Sequence, residues 1–159
     1  MSNKIIFNET NSIFLETTSI ENNIMKEFYF PEHPDIKMFS FSKLNYEWLS
    51  SKINEKDCVV YFLLDENEKS IYIGQTVGII NRLKDHNIKK SFTKAILFSS
   101  DNWTDVIIKN LESKFIDLFK SNENNIFSCI NSRIESERKH KKWEKQIIDK
   151  SLEVIIKLL

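Results

Sequence analysis

Glycine is the residue that this chain most conspicuously lacks. The sequence has two glycines in 159 residues, where an average usage of roughly 7% would give about eleven. Both lie within one five-residue window, at Gly74 and Gly78. Because glycine is required where the backbone takes a positive φ or approaches another group closely, this window is the first candidate for a functional site.

Cysteine is equally scarce, and its two copies show no metal-binding pattern. Cys58 and Cys129 lie in apolar stretches, with no CxxC pair and no cluster of histidines. They are typical of small buried side chains in a reducing compartment. The sequence also lacks a run of roughly 18 apolar residues, and polar residues interrupt its opening segment. We therefore predict neither a membrane helix nor a signal peptide, and expect a cytoplasmic protein.

An excess of one charge sign is missing from the chain as a whole. There are 23 basic and 23 acidic side chains, which argues against a non-specific nucleic-acid coat protein. The charge is nevertheless uneven, because residues 1–66 carry 6 basic and 11 acidic side chains and residues 67–159 carry 17 and 12. A polyanionic partner would therefore meet the second part of the chain.

Two stretches rich in β-branched and aromatic residues, 58–64 and 70–74, flank a polar turn and predict a β-hairpin. With a four-residue loop beginning at Asp65, Tyr61 would pair directly with Tyr72. Alternation then places both tyrosines on one face of the hairpin. The other face becomes an apolar core set of Val60, Phe62, Leu64, Ile71 and Ile73.

Helical and strand patterns alternate through the rest of the chain. They predict an α+β fold, in which a small and largely antiparallel sheet is flanked by helices, with an extra N-terminal segment and a C-terminal helix. The further predicted elements are a helix over 41–55, a helix from Thr76 or Gly78 to about His86, a strand over 95–100, a helix over 104–121, a strand over 126–131 and a helix over 136–159.

An ordered series of residues along this framework resembles the GIY-YIG nuclease superfamily, especially its small stand-alone bacterial members. The series is Val59-Val60-Tyr61, ten further residues, Tyr72-Ile73-Gly74, and then Arg82, His86, Glu112 and Asn131. It spans residues 57–133 and departs from the name-giving motif in having Val59 in place of the first glycine. Residues 1–56 would be an accessory segment packed on the core, and residues 134–159 a helical extension.

The resemblance implies a metal-dependent DNA endonuclease that hydrolyses phosphodiester bonds. Tyr61 would be the general base, and His86 or the metal would stabilise its charged form. Tyr72 would hydrogen-bond the attacking water or a phosphate oxygen. Arg82 would clamp the scissile phosphate, a task suited to its planar and permanently charged guanidinium. Glu112 would be the sole protein ligand of one Mg²⁺ or Mn²⁺ ion, which retains most of its waters.

Two further sets of residues complete the predicted site. Asn131 would anchor the backbone of the site, although it could equally cap the following turn. Residues 78–94 carry five basic side chains and one acidic one, so four lysines beside Arg82 are candidates for DNA contacts. They are Lys84, Lys89, Lys90 and Lys94.

One alternative of another class stays open, namely a non-catalytic DNA- or protein-binding module with the same fold. The presence of both tyrosines, the arginine and the glutamate favours the nuclease, because a binding module has no need of all four. The sequence leaves the oligomeric state undecided between monomer and homodimer. It also leaves the form of DNA undecided.

Overall fold

The computed structural model of the protein describes residues 13–20, 22–89, 92–121, 127–131 and 139–157. Strands and helices alternate through most of these ranges. The strands are β1 (Ile13–Ile20), β2 (Asn23–Phe30), β3 (His33–Phe41), β4 (Cys58–Asp65), β5 (Ser70–Val77), β6 (Lys94–Ser100) and β7 (Ser128–Cys129). The helices are α1 (Tyr46–Lys52), α2 (Ile79–Lys89), α3 (Asp105–Ser121) and α4 (Lys142–Ile156). Within this described part, no helix is long and apolar enough to cross a membrane.

The described strands form one seven-stranded sheet in the order β1-β2-β3-β6-β4-β5-β7. Neighbouring strands are antiparallel except for the short β5–β7 pair, which is parallel. Helices cover both faces of this sheet. The prediction of an α+β fold with a largely antiparallel sheet and flanking helices is therefore confirmed.

The N-terminal segment contributes three strands that the sequence pattern did not predict. β1, β2 and β3 form an antiparallel meander, and β3 pairs with β6 in the middle of the sheet. The predicted helix over 41–55 is shorter, and it begins at Tyr46 after Asn45, whose side-chain Oδ1 accepts a hydrogen bond of 3.0 Å from the Trp48 N–H. The hairpin of β4 and β5 and the N-terminal meander therefore share one sheet.

The predicted pairing of Tyr61 with Tyr72 is wrong by two residues. Tyr61 pairs with Gly74, and Leu63 pairs with Tyr72. The cause is the turn, because the Asp65 carboxylate accepts hydrogen bonds from two backbone N–H groups of the loop, at 3.0 and 3.1 Å, and belongs to β4. The loop starts one residue later than predicted. Since strand faces alternate with a period of two, both tyrosines still lie on one face.

Each face of the sheet supports its own hydrophobic core. The predicted apolar set of the hairpin lies in one core, against α3 and α4. The tyrosine face is also buried, because α1 and α2 cover it. The residues of α1 and α2 in this second core are Trp48, Leu49, Ile79, Ile80 and Leu83.

Gly78 forms the junction between β5 and α2. Its φ of +127° lies in the region that side chains other than glycine rarely adopt, and its carbonyl accepts the Arg82 N–H at 3.2 Å. Of the two predicted starting points, Thr76 belongs to β5, whereas the helix begins directly after Gly78. This turn brings α2 back over the tyrosine face.

The C-terminal helix α4 begins later than predicted, since residues 139–141 are not helical. It packs beside α3, and two hydrogen bonds attach it to the residues just before that helix. The indole Nε1 of Trp103 donates to the Ser151 hydroxyl at 2.9 Å, and the Thr104 hydroxyl donates to the Glu144 carboxylate at 3.0 Å. Because Trp103 and Thr104 directly precede α3, these bonds join α4 to the start of the helix that carries Glu112.

Candidate active site

Gly74 lies directly beneath the ring of Tyr61. The two residues are paired across β4 and β5, and a Cβ added to Gly74 would overlap the Cζ and Oη atoms of Tyr61. Gly74 is therefore required for space and not for an unusual backbone angle. This close approach allows a tyrosine that is only 1% exposed to lie flat against the neighbouring strand.

The two tyrosines form a contacting pair. Their ring centroids are 6.3 Å apart, the planes are tilted by 34°, and the side chains share a hydrogen bond. Tyr72 is less buried than Tyr61 and lies at the margin of the α1–α2 core. The diagonal arrangement that follows from the observed register thus still brings the two hydroxyl groups together.

Arg82 and Glu112 reach this pair from opposite faces of the sheet. Arg82 is an exposed residue of α2, which covers the tyrosine face, and Glu112 is a partly buried residue of α3, which packs on the other face. Both charges act on both phenols, Arg82 lowering each pKa and Glu112 raising it. Four of the predicted site residues therefore interact electrostatically in the structure, namely Tyr61, Tyr72, Arg82 and Glu112.

The net effect of these surroundings is to hold both phenols in their protonated form. Burial is the largest cause, and it raises the pKa of Tyr61 far above the ordinary phenol value of about 10. Burial also raises the pKa of Tyr72, with the Glu112 carboxylate as the next cause. Arg82 opposes the shift at each phenol without cancelling it. An ionised Tyr61 consequently needs additional positive charge nearby.

These raised pKa values predict a loss of stability in alkali. The folded protein keeps phenol protons that the unfolded chain releases, so the free energy of unfolding is unaffected below about pH 10 and falls as the pH rises above it. Urea denaturation between about pH 8 and 11 measures this slope. Tyr61→Phe should show a shallower alkaline loss than the wild type. An equal slope in both proteins would contradict the assigned environment of Tyr61.

Asn131 pairs with the backbone between the site residues of β5. Its Oδ1 accepts the Ile73 N–H at 3.0 Å, and its Nδ2 donates to the Ile73 carbonyl at 2.7 Å. The side chain thereby continues the β5–β7 pairing beyond the end of β7, as an added strand would. Since Ile73 lies between Tyr72 and Gly74, this double hydrogen bond restrains the backbone on which Tyr72 is mounted.

Lys120, in the last turn of α3, supports Asn131 in turn. Its Nζ donates to the backbone carbonyl of Asn131 at 2.7 Å, and the Cys129 thiol donates to the Asn131 Oδ1 at 3.3 Å. Sequence patterns offer no signal for the Lys120 contact, because it depends on where β7 returns beside α3. The same helix therefore carries Glu112 and contacts the residue that pairs with β5.

The remaining predicted residues of the site are only partly placed. His86 lies in α2 one turn after Arg82, and Lys89 ends the same helix; the side chains of both residues, and the whole of Lys90, lie outside the described part. Lys84 is exposed on α2. Lys94 is partly buried and pairs with Leu64, about 10 Å along β4 from Tyr61.

The oxygen atoms of this site suit a hard cation that keeps most of its water ligands. Among the described residues, no group of three or more His, Cys, Asp or Glu side chains could hold a metal ion. Glu112 supplies one partly buried carboxylate beside two phenols. Mg²⁺ binds in this way, through one or two carboxylates together with phosphate oxygens and several waters. The residues present fit such an ion and do not form a cage of several protein ligands.

A comparison with protein-family models shows to which family the chain belongs. The model described as the GIY-YIG catalytic domain matches residues 57–154, which is more than half of the chain. The protein belongs to the GIY-YIG family. Domains of this family are in general nucleases, and this membership supports a nuclease-type activity for the chain. No curated protein and no solved structure matches the chain.

The GIY-YIG match has boundaries that bear on the organisation of the chain. It begins just before β4 and ends within α4, so it includes the tyrosine hairpin, α2, α3 and most of the C-terminal helix. The meander β1–β3 and helix α1 precede it. These preceding elements nevertheless supply part of the core against which the tyrosines pack.

Proposed function

We propose that this GIY-YIG protein is a metal-dependent DNA endonuclease that hydrolyses phosphodiester bonds. The observation that carries the proposal is that a guanidinium from α2 and a carboxylate from α3 both act on the pair formed by buried Tyr61 and half-buried Tyr72. Hydrolysis of a phosphodiester requires charge compensation at the phosphoryl oxygens, a deprotonated water and help for the leaving alkoxide. Side chains suited to these tasks are present within this small region.

The charged residues divide the tasks of binding the substrate. Arg82, whose side chain is exposed on α2, is available to bridge two oxygens of the scissile phosphate. Glu112 would hold one Mg²⁺ or Mn²⁺ ion through its partly buried carboxylate. When bound, such an ion supplies Lewis acidity and lowers the pKa of a coordinated water.

Tyr61 is proposed as the general base and Tyr72 as its partner. The shared hydrogen bond offers a route by which Tyr61 can become ionised, because Tyr72, the less buried of the two, would release its own phenol proton to solvent as it takes the proton of Tyr61. Tyr72 would also orient the attacking water or a phosphate oxygen. His86, in the same helix as Arg82, is proposed to favour the charged form of Tyr61. Asn131 would keep the Tyr72 backbone in place through its bonds to Ile73.

One observation suits the alternative of a non-catalytic binding module. Burial and the Glu112 carboxylate raise the pKa of Tyr61, which in a protein without a bound cation makes Tyr61 a poor base. A domain that only bound DNA would never need to ionise Tyr61, so a raised pKa would not impair its function. The two functions differ in whether DNA is cleaved at all. Only the nuclease would cut DNA when a divalent ion is supplied.

Plasmid cleavage tests the proposed function directly. Purified protein is incubated with supercoiled, single-stranded and branched DNA in Mg²⁺, in Mn²⁺ or in EDTA, beside Arg82→Gln and the control Lys150→Gln on the far helix α4. We expect nicking or linearisation in either metal, none in EDTA, at least about 100-fold slower cleavage by Arg82→Gln, and wild-type rates for the control. Retained DNA binding without cleavage in any metal would favour the binding module instead.

A further inference from the structure

We infer that the DNA-binding surface extends onto α1, where Tyr46 acts as a positioning residue for the Lys84 ammonium group. This inference rests on the proposed nuclease function and adds a defined contact to it. Helix α1 precedes the region that matches the GIY-YIG domain. The contact would therefore be an addition of this chain to the shared catalytic framework.

The central observation is a cation–π contact between the two helices that cover the tyrosine face. The Lys84 Nζ lies 4.7 Å from the centroid of the Tyr46 ring, well within the distance at which a ring attracts an ammonium group. Both side chains are exposed, and Tyr46 retains 41% of its accessible surface. The ammonium is held at the surface and remains open to a further partner.

Tyr46 is mounted on a firmly anchored helix. It is the first residue of α1, next to the Asn45 cap, and the following turn buries Trp48 and Leu49. At the other end of α1, Lys52 forms a 3.0 Å ion pair with Glu27 of β2. Helix α1 therefore has little freedom to move relative to the sheet, and its Tyr46 ring is a fixed support for the lysine.

Two exposed carboxylates show why such a support matters. Glu47 follows Tyr46 on α1, and Asp85 follows Lys84 on α2. A flexible lysine among these neighbours would be drawn toward their negative charges and away from DNA. The ring favours one position of the ammonium before DNA binds, so the lysine loses less conformational freedom when it contacts a phosphate. Tyr46 would thus raise the affinity for phosphate without touching it.

The helix geometry also predicts that Arg82 and Lys84 make separate contacts with DNA. Arg82 and Lys84 are two residues apart on α2 and therefore point to flanks about 200° apart, with the buried Leu83 between them. An α-helix with its side chains is about 10–12 Å across. Because this width separates the two side chains, Arg82 and Lys84 would meet different phosphates of the DNA.

Binding measurements in EDTA test the role of Tyr46 without requiring cleavage. Duplex binding is followed over a range of salt for the wild type, Lys84→Gln, Tyr46→Leu, Tyr46→Phe and the control Lys150→Gln. Loss of one phosphate contact should reduce the slope of log affinity against log salt by about 0.9 in Lys84→Gln. Tyr46→Leu should weaken binding by about two- to fivefold. Tyr46→Phe keeps the ring and should bind as the wild type does.

A modified substrate tests the Lys84 contact. Replacing single phosphates by uncharged methylphosphonates should weaken wild-type binding at one phosphate other than the one at the mapped nick. The same replacement should have no effect on Lys84→Gln. Binding by Tyr46→Leu that equals the wild type, or a wild-type slope in Lys84→Gln, would overturn this inference. If Tyr46→Leu and Lys84→Gln then still nick DNA in the presence of metal, the proposed nuclease function holds although this inference fails.

Discussion

Glu112→Gln is expected to lower the rate of metal-dependent cleavage by at least about 100-fold while leaving the protein folded. The substitution keeps the shape of the side chain and removes its charge. Among the described residues, no cluster of three or more His, Cys, Asp or Glu side chains offers the ion another site. Because the side chain is only partly buried, the free energy of unfolding should change by no more than about 1 kcal/mol.

A second measurement on Glu112→Gln is independent of catalysis. The carboxylate raises the pKa of both tyrosines, so its removal should lower the pH at which their phenolate absorbance develops. Asp117→Asn is the matched control, since Asp117 is an exposed carboxylate on the same helix. Wild-type cleavage by Glu112→Gln in Mg²⁺ would disprove the assigned metal ligand. An unchanged phenol titration would disprove its proximity to the tyrosines.

Gly74→Ala is expected to destabilise the protein by about 1–3 kcal/mol, which is the usual cost of forcing an extra group into a packed core. The sign is informative, because a glycine to alanine change at an extended position without steric conflict stabilises by about 0.4–1 kcal/mol. Here the new methyl group would meet the ring of Tyr61, which has no room to move because it is 1% exposed. Any displacement of that ring also moves the proposed general base, so cleavage should fall together with stability.

A double-mutant cycle isolates the cause of this effect. Tyr61→Leu removes the ring atoms with which the added methyl group collides. Gly74→Ala should therefore cost much less in the Tyr61→Leu background, with a coupling energy of about 0.5–3 kcal/mol from urea denaturation. Equal costs in the two backgrounds would mean that the tyrosine ring does not restrict Gly74.

The hairpin shows which features the sequence pattern predicts correctly and which it does not. Alternation correctly placed Tyr61 and Tyr72 on the same face and their apolar neighbours in the opposite core. It could not specify the pairing, which depends on whether Asp65 belongs to the loop or the strand. The hydrogen bonds of its carboxylate place Asp65 in the strand, and Tyr61 consequently pairs with Gly74. A register shift of two residues preserves faces and changes partners.

The strands of the N-terminal segment could not be predicted from local sequence patterns. In β3, both faces of the strand become buried from Met38 onward, so the polar and apolar alternation that announces a strand is absent there. The strand exists because it pairs with β6, which lies more than 50 residues further along the chain. The same long-range pairing brings α1 beside α2 and hence Tyr46 beside Lys84.

The sequence alone determined the family resemblance, the order of the central elements and the faces of the hairpin, because periodicity and motif spacing are local properties. The tertiary structure decided which groups meet. The overlap of Tyr61 with the space above Gly74, the double hydrogen bond from Asn131 to Ile73, and the arrival of Arg82 and Glu112 from opposite layers all join residues distant in sequence. Contacts of this kind depend on strand register and on which helix covers which face, and these are settled by packing of the whole domain.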